Sequence, residues 1–279
     1  MRSLTSEARG LGLRPEFITD LIDVPLVSGL DFLEIAPENW MNIGGRKRDQ
    51  LDQLADRYPL IAHGLSLSIG DAEPLNLSFV REIRSFLDAY GIELYSDHLS
   101  AARDSTGYLY DLVPIPRRPE NVAYLADRIA QVQDVTGRRL VLENISAYHE
   151  YPGQMPEGDF LAELALRSGC GILLDINNAY VNERNHGADA RAFVATLSAE
   201  TIAYYHVAGH LELADGTILD THGTPVVDAV IQLAQDVWRL HGPRPLLLER
   251  DNFVPALGDL VHDLTAIGQA VRESRHAFA

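Results

Sequence analysis

The strongest constraint on how this 279-residue chain can fold is an alternation that repeats eight times. A short β-branched or Leu-rich run gives way to a polar loop, then to a longer segment with apolar residues at helical spacing. The runs fall at 10–13, 32–36, 60–63, 93–96, 140–144, 171–176, 203–207 and 245–250. The helical segments fall at 15–23, 46–58, 75–90, 120–136, 159–168, 190–199, 226–240 and 256–273. The punctuation agrees. Pro15, Pro119 and Pro225 stand near helix starts, where a missing N–H costs no hydrogen bond. Gly91, Gly137, Gly169 and Gly242 follow helix ends, where a left-handed residue is favoured. Three runs, LVLEN, GILLDI and PLLLER, are almost continuously apolar, as parallel strands covered on both faces must be. Eight βα units in a chain of this length predict an α/β fold, a single (β/α)8 TIM barrel domain spanning 1–279. The competitor is an open doubly wound sheet. Its phosphate-binding turn is missing, because GLGLRP lacks the third glycine and the acidic partner after the next strand.

Composition narrows the chemistry. Apolar residues make up 46% of the chain, enough for a large core, yet no run approaches the ~20 apolar residues of a membrane span. The opening MRSLTSEARG carries no apolar run of the secretory kind. Cys170 is the single cysteine, so neither an internal disulfide nor a thiolate metal knuckle can form within the chain. A cytoplasmic setting is expected. Any metal must then be held by His nitrogen and carboxylate oxygen, which suits iron, zinc or manganese. The balance of 23 basic and 40 acidic residues gives a net charge of −17, a field that repels a phosphate backbone. Neither nucleic acid nor membrane is expected as a partner.

The polar residues fall where the runs end. The second run carries Glu34, with Glu38 beyond it. The third ends at His63, the fourth leads into Asp97 and His98, and the fifth closes on Glu143 and Asn144. The sixth carries Asp175, followed by Asn177 and Asn178. The seventh carries His206, with His210 beyond, and the eighth carries Glu249. Taken singly, each is what a helix cap, a turn residue or a hydrogen-bonded core histidine also looks like. Taken together, His63, His98, Glu143, Asp175, His206 and Glu249 place one metal-competent group on each of six consecutive strands. Burying so many ionisable groups without a cation would cost several kcal/mol each, on the order of the penalty for any unpaired buried ion. Strand ends of a barrel converge on one axis, so these six can share one polynuclear site, with Glu143 placed to bridge. A loop at 209–224 holds Ala214-Asp215-Gly216, a hairpin turn signal, and returns Asp220 and His222 toward the same mouth. With Asn178 they could hold a third metal. A second long loop, 100–118, carries Arg103, Tyr108 and Tyr110, which could cover a substrate.

With these residues in view, the fold and ligand order resemble the xylose-isomerase-like barrels, endonuclease IV among them. That resemblance implies one metal on His63, His98 and Glu143. It implies a second on Glu143, Asp175, His206 and Glu249. The third would use position 178 with Asp220 and His222. The chain departs from the endonuclease there, having Asn178 where that enzyme has His. The segments FLEIAPENWM, AHGLSLSIG, YSDHLS, VLENISAY, LLDINNAYVNERNHG, YYHVAGH, LDTHGTPV and LLERD resemble, over nearly the whole chain, the multinuclear non-haem iron-dependent oxidases. This bacterial family includes the methanobactin-maturing oxidase. The resemblance implies two or three iron ions, with zinc or manganese as alternatives in purified protein. It also implies O₂-dependent modification of cysteines in a ribosomally made precursor peptide, recruited by a small partner protein. Asn144, Asn177 and His210 are expected to support ligands or touch substrate. Two other activities use such a cluster, phosphodiester hydrolysis of the endonuclease IV type and sugar isomerisation. The second normally needs a Lys or His base, and Lys47 is the only lysine.

Overall fold

The computed structural model describes residues 4–104 and 106–274. Eight parallel strands close into a barrel: β1 (Arg9–Gly12), β2 (Phe32–Ile35), β3 (Leu60–Gly64), β4 (Tyr95–His98), β7 (Leu140–Glu143), β8 (Gly171–Asp175), β9 (Ile202–Val207) and β12 (Leu246–Leu248). They neighbour one another in chain order, and β12 pairs with β1 to close the ring. All eight expected runs become barrel strands. The fourth starts two residues later than the sequence suggests, because residues 91 and 92 still belong to the turn that ends a helix. The Ile92 amide donates to the Leu87 carbonyl at 2.9 Å, and Gly91 takes the left-handed φ of 60°.

Helices α1 (Ile18–Asp23), α2 (Gly45–Ala55), α3 (Leu77–Tyr90), α4 (Pro119–Thr136), α5 (Glu157–Ser168), α6 (Ile176–His186), α7 (Ala190–Thr196), α8 (Asp228–His241) and α9 (Leu257–Glu273) connect the strands. Sequence periodicity does not reveal α6. Its sequence INNAYVNERNH has no clear apolar stripe, because half of what it buries is polar: Asn177, Asn178 and Asn182 are buried along with Ile176, Ala179 and Val181. The segment 100–118, expected as a loop, instead forms a hairpin of β5 (Ser100–Asp104) and β6 (Gly107–Pro114). Asp104 closes its turn by accepting from the Thr106 and Gly107 amides at 2.7 and 3.2 Å. Arg103 is committed to the scaffold, donating to Asp71 at 2.6 Å and to the Pro74 carbonyl at 3.1 Å. Tyr108 donates to the Ser66 carbonyl at 3.3 Å, and the side chain of Tyr110 lies outside the described residues. The hairpin signalled by Asp215-Gly216 is present as β10 (Leu211–Glu212) and β11 (Ile218–Leu219).

Two apolar layers hold this arrangement. The larger lies between strands and helices, and the smaller fills the barrel itself with Phe32, Ile61, Val141, Leu173, Tyr204 and Leu247. Side chains alternate in and out along a strand, so these residues mark which positions face the axis. Gly10, paired with Phe32 across β1 and β2, leaves the room this plug needs. A Cβ there would come within 2.3 Å of the Phe32 ring.

Candidate metal centre

Two residues beyond each plug residue, on the same strand face, stands a polar group. Phe32 leads to Glu34, Ile61 to His63, Ser96 to His98, Val141 to Glu143, Leu173 to Asp175, Tyr204 to His206, and Leu247 to Glu249. The period of two therefore aims all seven at the axis, one layer nearer the carboxyl ends of the strands. Three overlapping groups result: His63, His98 and Glu143; Glu143, Asp175 and His206; Asp175, His222 and Glu249. Within each group the candidate ligand atoms lie inside 4.8 Å of one another. Glu143 Oε2 lies 3.0 Å from His63 Nε2 and 3.4 Å from His98 Nε2, and those two nitrogens are 3.2 Å apart. Glu249 Oε2 lies 2.9 Å from His206 Nδ1 and 3.4 Å from His222 Nδ1. All six strand-end ligand candidates thus meet, and Glu143 and Asp175 each belong to two groups.

The donor set fits a cation. Glu143 Oε2, Asp175 Oδ2, His206 Nδ1, His222 Nε2, His98 Nδ1 and Asn178 Oδ1 are buried and make no well-directed hydrogen bond. Such atoms are normally satisfied, and a cation could satisfy those that face the cluster. The titration behaviour of the metal-free cluster gives the same reading. Burial opposes the imidazolium of His63, but the adjacent Glu143 outweighs it and pushes the ring up to about 9. Burial is likewise overcome at His206 by Glu34 and Glu249, and at His222 by Glu249 and Asp220, so both rings rise well above the usual range. His98 goes the other way, to about 4, because burial and the charge on His63 both disfavour its proton. Burial and Glu143 raise Asp175. Protons on His63, His206 and His222 thus balance the carboxylates where a metal ion can do so instead.

Asp175 is both a cap and a candidate ligand. Its Oδ1 accepts from the Asn178 amide at 2.7 Å and starts α6, leaving Oδ2 for the cluster. Asn144 fixes it from behind, accepting from the Asp175 amide and donating to the Asp175 carbonyl, both at 2.9 Å. Asn178 donates to Glu143 Oε1 at 3.2 Å and to the Asn144 carbonyl at 3.0 Å. Asn177 donates to Asp220 at 2.7 Å and lies 2.7 Å from His210 Nδ1, so it ties those loops together. His210 stacks on Tyr180, with centroids 5.3 Å apart. Asp220 Oδ1 sits 2.7 Å from His222 Nε2. His222 itself adopts φ 47°, a costly conformation that its loop holds through Asp251, whose amide donates to the His222 carbonyl at 2.9 Å.

Sequence reasoning left three of the contacting groups out of the ligand array. Glu34 Oε2 lies 3.1 Å from His206 Nε2, and Ser96 Oγ lies 2.8 Å from His63 Nδ1. Both sit on the axis-facing positions that the period of two picks out. Arg14 pairs with Asp251 and reaches Glu249 at 3.6 Å, so the apparent surplus of carboxylates is partly offset. Above the cluster opens a cavity of about 430 Å³, lined by His63, His98, Glu143, His222 and Glu249 and also by Leu13, Leu65 and Leu112.

These features define a closed (β/α)8 TIM barrel whose mouth gathers metal-competent side chains. Such a barrel from Mycobacterium smegmatis, solved in complex with magnesium, is 15% identical with TM-score 0.62, covering 98% of this chain and 100% of its own. Endonuclease IV from Thermus thermophilus is 16% identical with TM-score 0.58, covering 95% and 99%. These two likenesses speak to fold alone. The chain belongs to the MbnB/TglH/ChrH family of RiPP precursor modification enzymes, whose model matches residues 8–272. A UPF0276 protein of Shewanella amazonensis is 46% identical over 98% of this chain and 99% of its own. Another, from Pseudomonas aeruginosa, is 44% identical over 96% and 94%.

Proposed function

We propose that this protein is a multinuclear non-haem iron oxidase that uses O₂ to modify cysteine residues of a ribosomally made precursor peptide. Family membership supports the peptide substrate. One observation carries the metal reading: buried ligand atoms without a well-directed hydrogen bond converge in three groups linked by Glu143 and Asp175. His63, His98 and Glu143 would hold one ion, and Glu143, Asp175, His206 and Glu249 a second. His222, with Asp220 and Asn178 nearby, would serve a third. Iron bound there would supply redox chemistry toward O₂ and an affinity for a substrate thiolate. The chain's own residues do the rest. Leu13, Leu65 and Leu112 add apolar surface to the cavity that an entering peptide segment would contact. The shared carboxylates Glu143 and Asp175 would serve neighbouring ions, and Asn144 holds Asp175 in register. Among the described residues no helix is long and apolar enough to cross a membrane. A small partner protein that delivers the peptide, and a cytoplasmic setting, complete the proposal.

The test is mass spectrometry of a Cys-containing precursor peptide after incubation with iron-loaded protein, O₂ and any cognate partner. The expected result is an iron- and O₂-dependent mass change located on cysteine. Cleavage of abasic DNA by the metal-loaded protein, with the peptide left unchanged, would instead support a hydrolase.

A further inference from the structure

Beneath the cluster, inside the barrel, lies an unbroken hydrogen-bonded chain. His63 Nδ1 is 2.8 Å from Ser96 Oγ, which is 2.7 Å from the Tyr204 hydroxyl. Tyr204 donates to Glu34 Oε2 at 2.8 Å, and the same oxygen lies 3.1 Å from His206 Nε2. Glu34, Ser96 and Tyr204 are all at least 96% buried, so no bulk water completes the pattern.

From this chain we infer that Glu34, Tyr204 and Ser96 are positioning residues that fix which ring nitrogen His63 and His206 each present to metal. Proton counting sets the direction. A carboxylate only accepts, so both neighbours of Glu34 Oε2 must donate to it. Tyr204 has one proton and gives it to Glu34. Its oxygen must then accept, so Ser96 donates to Tyr204. The single Ser96 proton is thereby spent, and His63 Nδ1 must carry the proton shared with Ser96. At the other end, His206 Nε2 must carry the proton given to Glu34. Every proton in the chain points at Glu34. When metal displaces the second proton of each ring, His63 is left with a lone pair on Nε2 and His206 with one on Nδ1. Those are the atoms that lie 3.0 Å from Glu143 and 2.9 Å from Glu249, facing the cluster. One carboxylate thus sets the tautomer of two ligands on strands β3 and β9, one in each of two metal groups.

The inference rests on the metal reading above, and zinc is the probe. In long-range proton–nitrogen NMR spectra of the histidine-labelled, zinc-loaded chain, His63 should bind through Nε2 with a proton on Nδ1. His206 should bind through Nδ1 with a proton on Nε2. Glu34→Gln, whose amide can donate to His206, should weaken zinc binding roughly 10–100-fold in chelator competition. Ser96→Ala should weaken it similarly, through the His63 side. Tyr204→Phe, which cuts the link between Glu34 and Ser96, should weaken zinc at His63 by less than Ser96→Ala does, because Ser96 can then donate to the more distant Ala62 carbonyl at 3.2 Å. Opposite coordinating nitrogens in the unaltered protein would overturn the inference, whether or not any variant folds. Zinc affinity at the unaltered level in both Glu34→Gln and Ser96→Ala would overturn it and leave the metal reading standing. An unaltered chain that takes up no zinc would overturn both.

Discussion

The barrel interior has two layers built on the same strands and the same face, and they do opposite work. The lower layer, Phe32, Ile61, Val141, Leu173, Tyr204 and Leu247, is nearly all hydrocarbon and fills space. The upper layer, two residues further along each strand, is Glu34, His63, Glu143, Asp175, His206 and Glu249, and it gathers charge. Burial is equally deep in both. One step of the strand period is therefore all that separates a site of stability from a site of chemistry, and the helices outside need not change. Tyr204 joins the two layers, with its ring in the plug and its hydroxyl on Glu34.

If the layers divide the work this way, substitutions in them should fail differently. Glu143→Gln keeps the shape of the upper layer but removes the charge shared by two groups. Peptide modification should fall below detection, and metal affinity should drop by more than roughly 100-fold, beyond the cost of losing a supporting contact. The apo fold should remain intact by circular dichroism. In the lower layer, Phe32→Ala should cost about 3–5 kcal/mol in denaturant unfolding while metal stoichiometry stays unchanged. Loss of metal in Phe32→Ala without loss of stability would erase the distinction.

Acidity probes the upper layer and the Asp97 carboxyl beside it. His63 gains affinity for its proton on folding, from 6.5 to about 9. The stability that proton gives the apo protein is complete below pH 6.5 and is lost as pH rises through about 9. Asp97, raised to about 7 by burial and by Glu38, has the same sign in the lower part of this window. The melting temperature of the apo protein should therefore fall by several degrees across it, whereas metal affinity should rise as protons cease to compete. The smallest effect is expected at Asn177→Ala. It removes the tie between Asp220 and His210 and should cost about 1 kcal/mol, read by thermal unfolding, without changing metal at His63 and Glu143.

Most of this arrangement was legible in the sequence because parallel strands write their pattern plainly. Runs such as LVLEN and GILLDI announce themselves by apolar continuity, and the ligand candidates stand out as the polar exceptions at their ends. Helix α6 was hidden for the converse reason. Its buried residues mix Asn177, Asn178 and Asn182 with Ile176, Ala179 and Val181, so the amphipathic signal is weak. Glu34 could have been found from FLEI by the alternation that gives His63 from LIAH. Strand position alone, however, does not tell a group that binds metal from one that holds a ligand in place. The β5–β6 hairpin escaped because Arg103 and Asp104 are polar whether they face solvent or, as here, pin the hairpin to Asp71 and close its turn.

The central claim is that the upper layer exists to hold metal ions. Anomalous diffraction from crystals of anaerobically iron-loaded protein tests it most directly. Iron peaks should lie between His63, Glu143, His206 and Glu249, with Glu143 reaching two of them. Iron bound only elsewhere, with these side chains still paired to one another, would contradict the account.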